Sequence, residues 1–271
     1  MTATALDIII VNYNTAQDLA ACLRSLLAAP PARPHHILVV DNASSDGSTD
    51  VVRRDFPSVQ VIALGRNAGF AAANNAGIRA TASPMVLLLN SDTLVPAGAI
   101  DRLCDHLDAV GAAAAGPRLV DAEGHPELSW GPMLTPFAEW RQGRLVRAAR
   151  RGDPSARARV EALTSTERTV DWVSGACLLV RRDAAVAAGL LDERYFMYEE
   201  DVDFCAALRK GGGRILFAPA ATITHLRGRS IGGAVPRQPS HYDESHLKFY
   251  GKHAPRWVPW LRLWKRLRRR L

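Results

Sequence analysis

The sequence predicts an α/β domain with a mostly parallel central sheet and helices on both faces, and three features of its 271 residues predict it. Short apolar runs of strand length alternate with segments of helical period through roughly the first two-fifths of the chain. Those runs stop abruptly at polar residues: Asn12, Asp41, Asn42, and the trio Asn90, Ser91 and Asp92. The hydrophobic content of 48% suits a packed core, and no uninterrupted apolar run reaches the roughly 18 residues of a membrane-spanning helix.

Each element has its own reason. "LDIIIVNY" is apolar and β-branched without alternation, the mark of a strand covered on both faces. "TAQDLAACLRSLLAA" spaces its leucines at helical period behind Thr15, a residue able to cap it. "HHILVVDN" is a second strand and "DGSTDVVRRDF" a second helix entered through Asp and Ser. "VQVIAL", "AGFAAANNAGIRATA", "MVLLLN" and "AGAIDRLCDHLDAV" continue the rhythm. Strand, helix, strand, helix implies parallel pairing, and ligands of such sheets sit outside the carboxyl ends of the strands. The polar strand ends are therefore expected on one rim.

After about residue 118 the regularity fades. The stretch 123–167 mixes Pro, Gly, Trp and arginines, and reads as loops and short helices of a less regular lobe. "TVDWVSGACLLVRR" predicts a strand pair around Gly175, "EEDVDFCAALRKGG" a helix ending at glycine, and "RILFAPAATITH" a pair of strands broken at Pro219. Residues 1–235 form one expected domain with halves 1–117 and 118–235, and 236–271 form an extension.

Charge and cysteines bound the setting. Lys and Arg number 34 against 27 acids, and the seven in excess are matched by the seven cations from Arg256 onward, where no acid occurs, so the body is formally neutral. Cys22, Cys104, Cys177 and Cys205 have neither C-x-x-C nor metal spacing and read as reduced core residues. The N-terminal stretch has no basic leader, and the expected address is cytoplasmic.

The strings "IIIVNYN", "VVDNASSDGS", "NAGFAAANNAGI", "LLLNSDT", "GACLLVRR", "DERYFMYEEDVDFCAALRKGG" and "ITHLRGRS" occur in the order and near the spacing of family 2 glycosyltransferases. The chain resembles that family over roughly residues 6–232, most of all its bacterial rhamnosyltransferase-like members. The resemblance implies a GT-A (Rossmann-like) fold, a nucleotide-sugar donor, a divalent metal (Mg²⁺ or Mn²⁺), a saccharide or polyprenyl-linked acceptor, and inversion at the sugar carbon. dTDP-L-rhamnose is the favoured donor and UDP-hexoses stand behind it.

The resemblance also implies roles. Asp92 closes a strand where many relatives carry Asp-x-Asp and this chain carries Asn90-Ser91-Asp92; a hard cation on a diphosphate wants such a carboxylate. Asp41 would accept the imide N–H of uracil or thymine. Asn12, Asn14, Asn67, Gly69, Asn74 and Ser91 fall on the donor side, with amide caps of a helix start as the alternative for Asn67, Gly69 and Asn74. Asp46 and Gly47 read as turn and helix start. His225 stands near the metal or diphosphate, or is an ordinary strand-end residue; Arg227 and Arg229 would meet phosphate. Gly175, Ala176, Asp192 and Glu193 resemble an acceptor-facing wall. In the acid cluster 199–203, Asp201 is the general base and Glu200 positions it, against a helix-capping role.

Other classes fare worse. A dinucleotide oxidoreductase would show G-x-G-x-x-G after the first strand, where "NYNTAQDL" stands. A nucleic-acid binder would account for the tail but not for a neutral body, and no nucleic acid is expected as partner. The tail "RWVPWLRLWKRLRRRL" spaces its tryptophans and leucines by three and four with cations between. Two readings stand: a helix on the inner face of the cytoplasmic membrane, or one docked on its own domain.

Overall fold

Strand β1 (Leu6–Asn12) is buried along its whole length, as a two-sided apolar run must be, and it lies inside the sheet. The computed structural model describes residues 4–226 and 239–268. After β1 come α1 (Ala16–Ala28), β2 (His35–Asp41), α2 (Ser48–Asp55), β3 (Gln60–Ala63), α3 (Phe70–Ala80), β4 (Met85–Asn90), β5 (Thr93–Leu94), α4 (Ala99–Val110) and β6 (Ala114–Val120). The second half adds β7 (Pro126–Glu127), β8 (Trp130–Gly131), α5 (Pro136–Arg150), α6 (Pro154–Thr164), β9 (Arg168–Val170), β10 (Trp172–Val173), β11 (Cys177–Arg181), α7 (Arg182–Ala187), α8 (Glu200–Lys210) and β12 (Ile215–His225). The chain closes with α9 (Pro239–His253), a 3₁₀ turn (Pro255–Trp257) and α10 (Val258–Arg268).

The main sheet runs β3-β2-β1-β4-β11-β6-β12-β5. The first four strands are parallel, as the alternating pattern predicts, and β11 enters antiparallel between β4 and β6. Period-two alternation in β1 splits the core. Ile8 and Ile10 join the layer that contains Leu19 and Leu23 of α1 and Leu103 of α4, while Ile9 and Val11 join the layer with Ala71 of α3 and Phe204 of α8. A third, smaller cluster sets Phe249, Tyr250 and Leu261 of the C-terminal helices against Tyr195 and Val202.

Several expectations need correcting. Thr15 stands at the start of α1 but does not cap it; its hydroxyl donates to Asn12 Oδ1 at 2.6 Å, so the residue serves the strand end. β12 is one continuous strand, because its register shift between Ala218 and Thr222 absorbs Pro219 as a bulge. The irregular lobe holds two real helices. Each starts with proline at its first position, behind Thr135 Oγ1, which accepts from Ala138 N at 3.2 Å, and behind Asp153 Oδ1, which accepts from Ala156 N at 2.7 Å. All four cysteines are free and buried, and burial pushes the Cys22, Cys104 and Cys205 thiols up to about 12. Among the described residues no helix is long and apolar enough to cross a membrane.

Candidate active site

Parallel pairing in register brings the ends of β1, β2 and β4 to one rim, where Asn12 aligns with Asp41 and Val11 with Asn90. Asn12 Nδ2 donates to Asp41 Oδ1 and to Ser44 Oγ, both at 3.0 Å. The Thr15 hydroxyl, already on Asn12 Oδ1, lies 2.9 Å from Ser91 Oγ. A continuous hydrogen-bonded chain therefore runs Asp41, Asn12, Thr15, Ser91, and its members are buried. Asp41 Oδ2 accepts from Ser44 N at 2.9 Å. Asn14, at φ 54°, accepts from Ser45 N at 2.8 Å and fixes the facing loop. Asp46 accepts from Ala16 N and Ser48 N, the turn role expected of it. Burial acts to raise its pKa, and these bonds, with the Ser48 hydroxyl, outweigh it and hold the carboxyl below the ordinary range.

The α3 entrance carries the next group. Asn42 Nδ2 donates to Asn67 Oδ1 at 2.8 Å, and Gly69 N donates to the same oxygen at 3.1 Å. Asn74 is buried inside α3, and its Nδ2 donates to Phe70 O at 3.0 Å. Gly69 has φ 90°, and a Cβ there would stand 2.6 Å from the carbonyl oxygen of Phe196. Gly69→Ala is expected to lose at least about 2 kcal/mol of stability, from strain plus overpacking, visible as a lower melting temperature.

At the end of β4, Asp92 is 2% exposed. His225 Nε2 lies 3.3 Å from Asp92 Oδ1, and His225 Nδ1 lies 3.4 Å from Glu127 Oε2. Burial works against protonating this imidazole, yet the two flanking carboxylates outweigh it and hold its pKa up at about 9. The two acids sit on opposite nitrogens of this ring, so a cation at the rim would meet Asp92 on the Nε2 side and Glu127 only on the other. Glu127 was missed in the sequence because it sits in the irregular lobe on two-residue β7, outside every motif. Arg227 and Arg229 lie outside the described residues.

The acid loop meets this rim through β11. Asn90 N donates to Ala176 O at 2.9 Å, and Gly175 N donates to Asp201 Oδ2 at 2.8 Å. A side chain at Gly175 would press on Asp201 Cβ at 3.2 Å, so glycine and acid are fitted to each other. Asp201 Oδ1 also accepts from Val202 N at 2.8 Å. Tyr198 and Glu199 both take positive φ, at 72° and 66°, which turns the chain sharply into α8 and brings Glu200 and Asp201 to its first turn. Burial, then the neighbouring Asp201, raises Glu200 well above an ordinary glutamate, and its Oε2 has no hydrogen-bond partner among the described residues. Asp201 is raised chiefly by burial, against two backbone donors that favour its anion. The two backbone donors favour the anion at Asp201, and Glu200 has no such donor on Oε2.

Asp203 is spent on structure: Lys252 Nζ donates to it at 2.8 Å and His253 Nε2 lies 2.6 Å away, which pins α9 to α8. Asp192 and Glu193 are likewise engaged in the fold. Arg194 and Lys252 pair with Asp192, and Arg194, then Lys252, hold it below the usual carboxylate range against burial. Glu193 Oε1 accepts from Asn75 at 2.9 Å and from Arg79 at 3.0 Å. Ala176 is buried and meets the rim only through its backbone.

Glu199 adds a pH dependence. Burial, then Glu139 and Asp201, push it up to about 8, with Lys265 opposing. Its folded pKa exceeds the unfolded one, so this contribution to stability is complete below the ordinary glutamate range and is lost as pH rises through about 8. Glu199→Gln is expected to melt at a higher temperature than the parent at pH 9 and at the same temperature at pH 5. Ligand atoms of Glu139, Glu199 and His246 lie within 4.8 Å of one another, as do those of Asp121, Glu123 and His125. Neither group contains Asp92 or His225.

Comparisons with known proteins bear on the family and the fold. The profile of Glycosyl transferase family 2 matches residues 7–184. The chain is 34% identical to the N-acetylglucosaminyl-diphospho-decaprenol L-rhamnosyltransferase of Mycobacterium tuberculosis, over 93% of this chain and 86% of the relative. It is 28% identical to the low-salt glycan biosynthesis hexosyltransferase Agl10 of Haloferax volcanii, over 76% of this chain and 62% of that one. Among solved structures, GalNAc-T7 with UDP, GalNAc and Mn²⁺ superposes with a TM-score of 0.65 at 16% identity, over 92% of this chain and 48% of that one, so the chain spans about half its length. The mannosyltransferase PcManGT of Pyrobaculum calidifontis, in complex with GDP-Man and Mn²⁺, superposes at 0.58 with 17% identity, over 96% and 70%. The fold is GT-A, and the chain belongs to glycosyl transferase family 2.

Proposed function

We propose that this enzyme moves L-rhamnose from dTDP-L-rhamnose, with inversion at the anomeric carbon, to a hydroxyl of a saccharide carried on an isoprenoid diphosphate. The observation that carries the reading is the single connected rim on which a nucleotide-side acid (Asp41), a diphosphate-side acid (Asp92) and a backbone-held acid (Asp201) meet. The mycobacterial relative, similar along almost its whole length, is named for rhamnosyl transfer to a diphospho-decaprenol acceptor.

Each residue then has a task. Asp41 accepts the imide N–H of the base, and Asn12, Asn14, Asn67, Gly69, Asn74 and Ser91 shape the donor cradle. Arg227 and Arg229, outside the described residues, are assigned to the phosphates by the resemblance alone. Asp92 and His225 would hold Mg²⁺ or Mn²⁺, which when bound offsets the charge of the departing diphosphate. Asp201 takes the proton of the acceptor hydroxyl as its oxygen bonds to the anomeric carbon, and the electron pair of the breaking bond leaves on the diphosphate. Glu200, its neighbour in the first turn of α8, positions Asp201. A diphosphate needs no proton to leave, so one base suffices where a glycosidase uses two opposed carboxyls. The acceptor places the reaction at the inner face of the cytoplasmic membrane, in assembly of cell-envelope glycan.

The test is transfer to an N-acetylglucosaminyl diphosphate lipid from a panel of nucleotide sugars with Mg²⁺ or Mn²⁺. The expected product takes rhamnose from the dTDP donor, with the opposite anomeric configuration by NMR. Transfer from UDP-hexoses alone would move the assignment to a UDP-hexose transferase of the same fold.

A further inference from the structure

Beside the rim lies a groove of about 1650 Å³ whose inner end is set by Glu127 and Glu199 and whose walls are α5, α6 and α10. It is larger than the roughly 300–1,000 Å³ of an ordinary small-molecule site. Its inner end joins the chemistry, since Glu127 faces His225 and Glu199 adjoins Glu200 and Asp201. Most other acids on its walls are already matched: Glu161 by Arg118, Asp243 by Lys265, Glu139 by His246. One wall presents Arg147, Arg150 and Arg157 on exposed turns of α5 and α6. The lining is also aromatic. On α10, Leu261 and Lys265 turn inward and are buried, while Trp260 and Trp264 line the groove at 67% and 51% exposure. Trp140 of α5 also lines the groove, stacked on exposed Phe137 at 6.0 Å. No residue of α5 is buried, so this helix is placed with little core of its own to cover.

Resting on the proposed transfer to a lipid-linked saccharide, we infer that this groove binds the isoprenoid diphosphate of the acceptor. The arginines take the diphosphate and the tryptophans of α10 and α5 flank the first isoprene units. Carboxylates beside the rim, arginines on α5 and α6 and exposed aromatics on α10 and α5 bring together in one groove partners for a sugar hydroxyl, a diphosphate and a hydrocarbon. Guanidinium groups suit diphosphate oxygens better than a bare bilayer face, which would ask for cations and apolar residues without a cavity. The tail helix is thus a wall of the substrate site, set so that its exposed stripe of Trp260, Leu263, Trp264 and Leu267 meets the lipid surface from which the acceptor emerges.

Equilibrium binding of a C15 isoprenyl diphosphate tests this, with a nucleoside diphosphate present to fill the donor end. The full chain is expected to bind it at least tenfold more tightly than inorganic diphosphate or the C15 alcohol. Trp260→Ser with Trp264→Ser should lose at least tenfold toward the C15 diphosphate and nothing toward inorganic diphosphate. Arg147→Gln with Arg157→Gln should erase the preference for diphosphate over alcohol. Both pairs are on exposed turns, and unchanged nucleotide affinity shows that they fold. Variants that bind like the parent, a parent with no preference, or equal losses on anionic vesicles lacking the isoprenyl diphosphate would overturn the inference, the last leaving a membrane anchor only. Because binding is read without turnover, a failed sugar transfer counts against the proposed reaction and not against the groove.

Discussion

Asp201→Asn is expected to lower turnover by roughly a hundred- to ten-thousandfold while donor affinity stays within about twofold. The carboxylate lies between two backbone donors, Gly175 N and Val202 N, each at 2.8 Å. An amide can still accept one of these bonds, so the loop keeps its place. What it cannot do is take a proton from the acceptor alcohol. The substitution also removes a buried charge beside Glu200, so the variant should be no less stable than the parent at alkaline pH. Steady-state kinetics and donor titration check both halves, and activity within a few-fold of the parent would remove Asp201 from its role.

Asp92→Ala should fail differently. Asp92 is buried and faces His225, so its loss leaves Glu127 as the imidazole's acidic partner among the described residues and removes the carboxylate proposed for the diphosphate end. A buried partner lost from a charged pair costs about 3–5 kcal/mol of folding stability, and a fall in donor affinity of roughly a hundredfold is expected separately, from the lost carboxylate. The stimulation of donor binding by Mn²⁺ should vanish with it. Calorimetric titration of dTDP with and without the metal reads both effects. Intact metal-dependent binding in this variant would separate Asp92 from the cation.

Much of the rim was legible because its residues lie at strand ends, and strand ends follow from apolar runs. Leu6–Asn12, His35–Asp41 and Met85–Asn90 are written in the sequence as strands, and parallel pairing places their last residues together. Less legible was anything decided by side chains meeting across long separations. Glu127 gains its meaning only when β7 pairs with β6 and faces the end of β12. Asp192 and Glu193 resembled an acceptor wall, and the partners that Asp192 and Glu193 Oε1 meet, Arg194 and Lys252 for the one and Asn75 and Arg79 for the other, are ones no spacing could announce. Likewise the arginine-rich stretch after Gly131 looked irregular by composition, although Thr-Pro and Asp-Pro at 135–136 and 153–154 are helix-start signals. The tail helix was readable as amphipathic; which of its residues face inward depended on Asp243 receiving Lys265.

The placement of β11 bears on how the chain is made. β4 is apolar and buried, and the neighbour on its open side is supplied only when Cys177 arrives opposite Leu89. A nascent polypeptide that has released β4 from the ribosome carries a bare, water-averse edge until β11 has been synthesised, a stage at which strands of other copies can pair in its place. The first half of the chain is therefore no self-sufficient sheet: β4 takes its second neighbour from a strand made some ninety residues later.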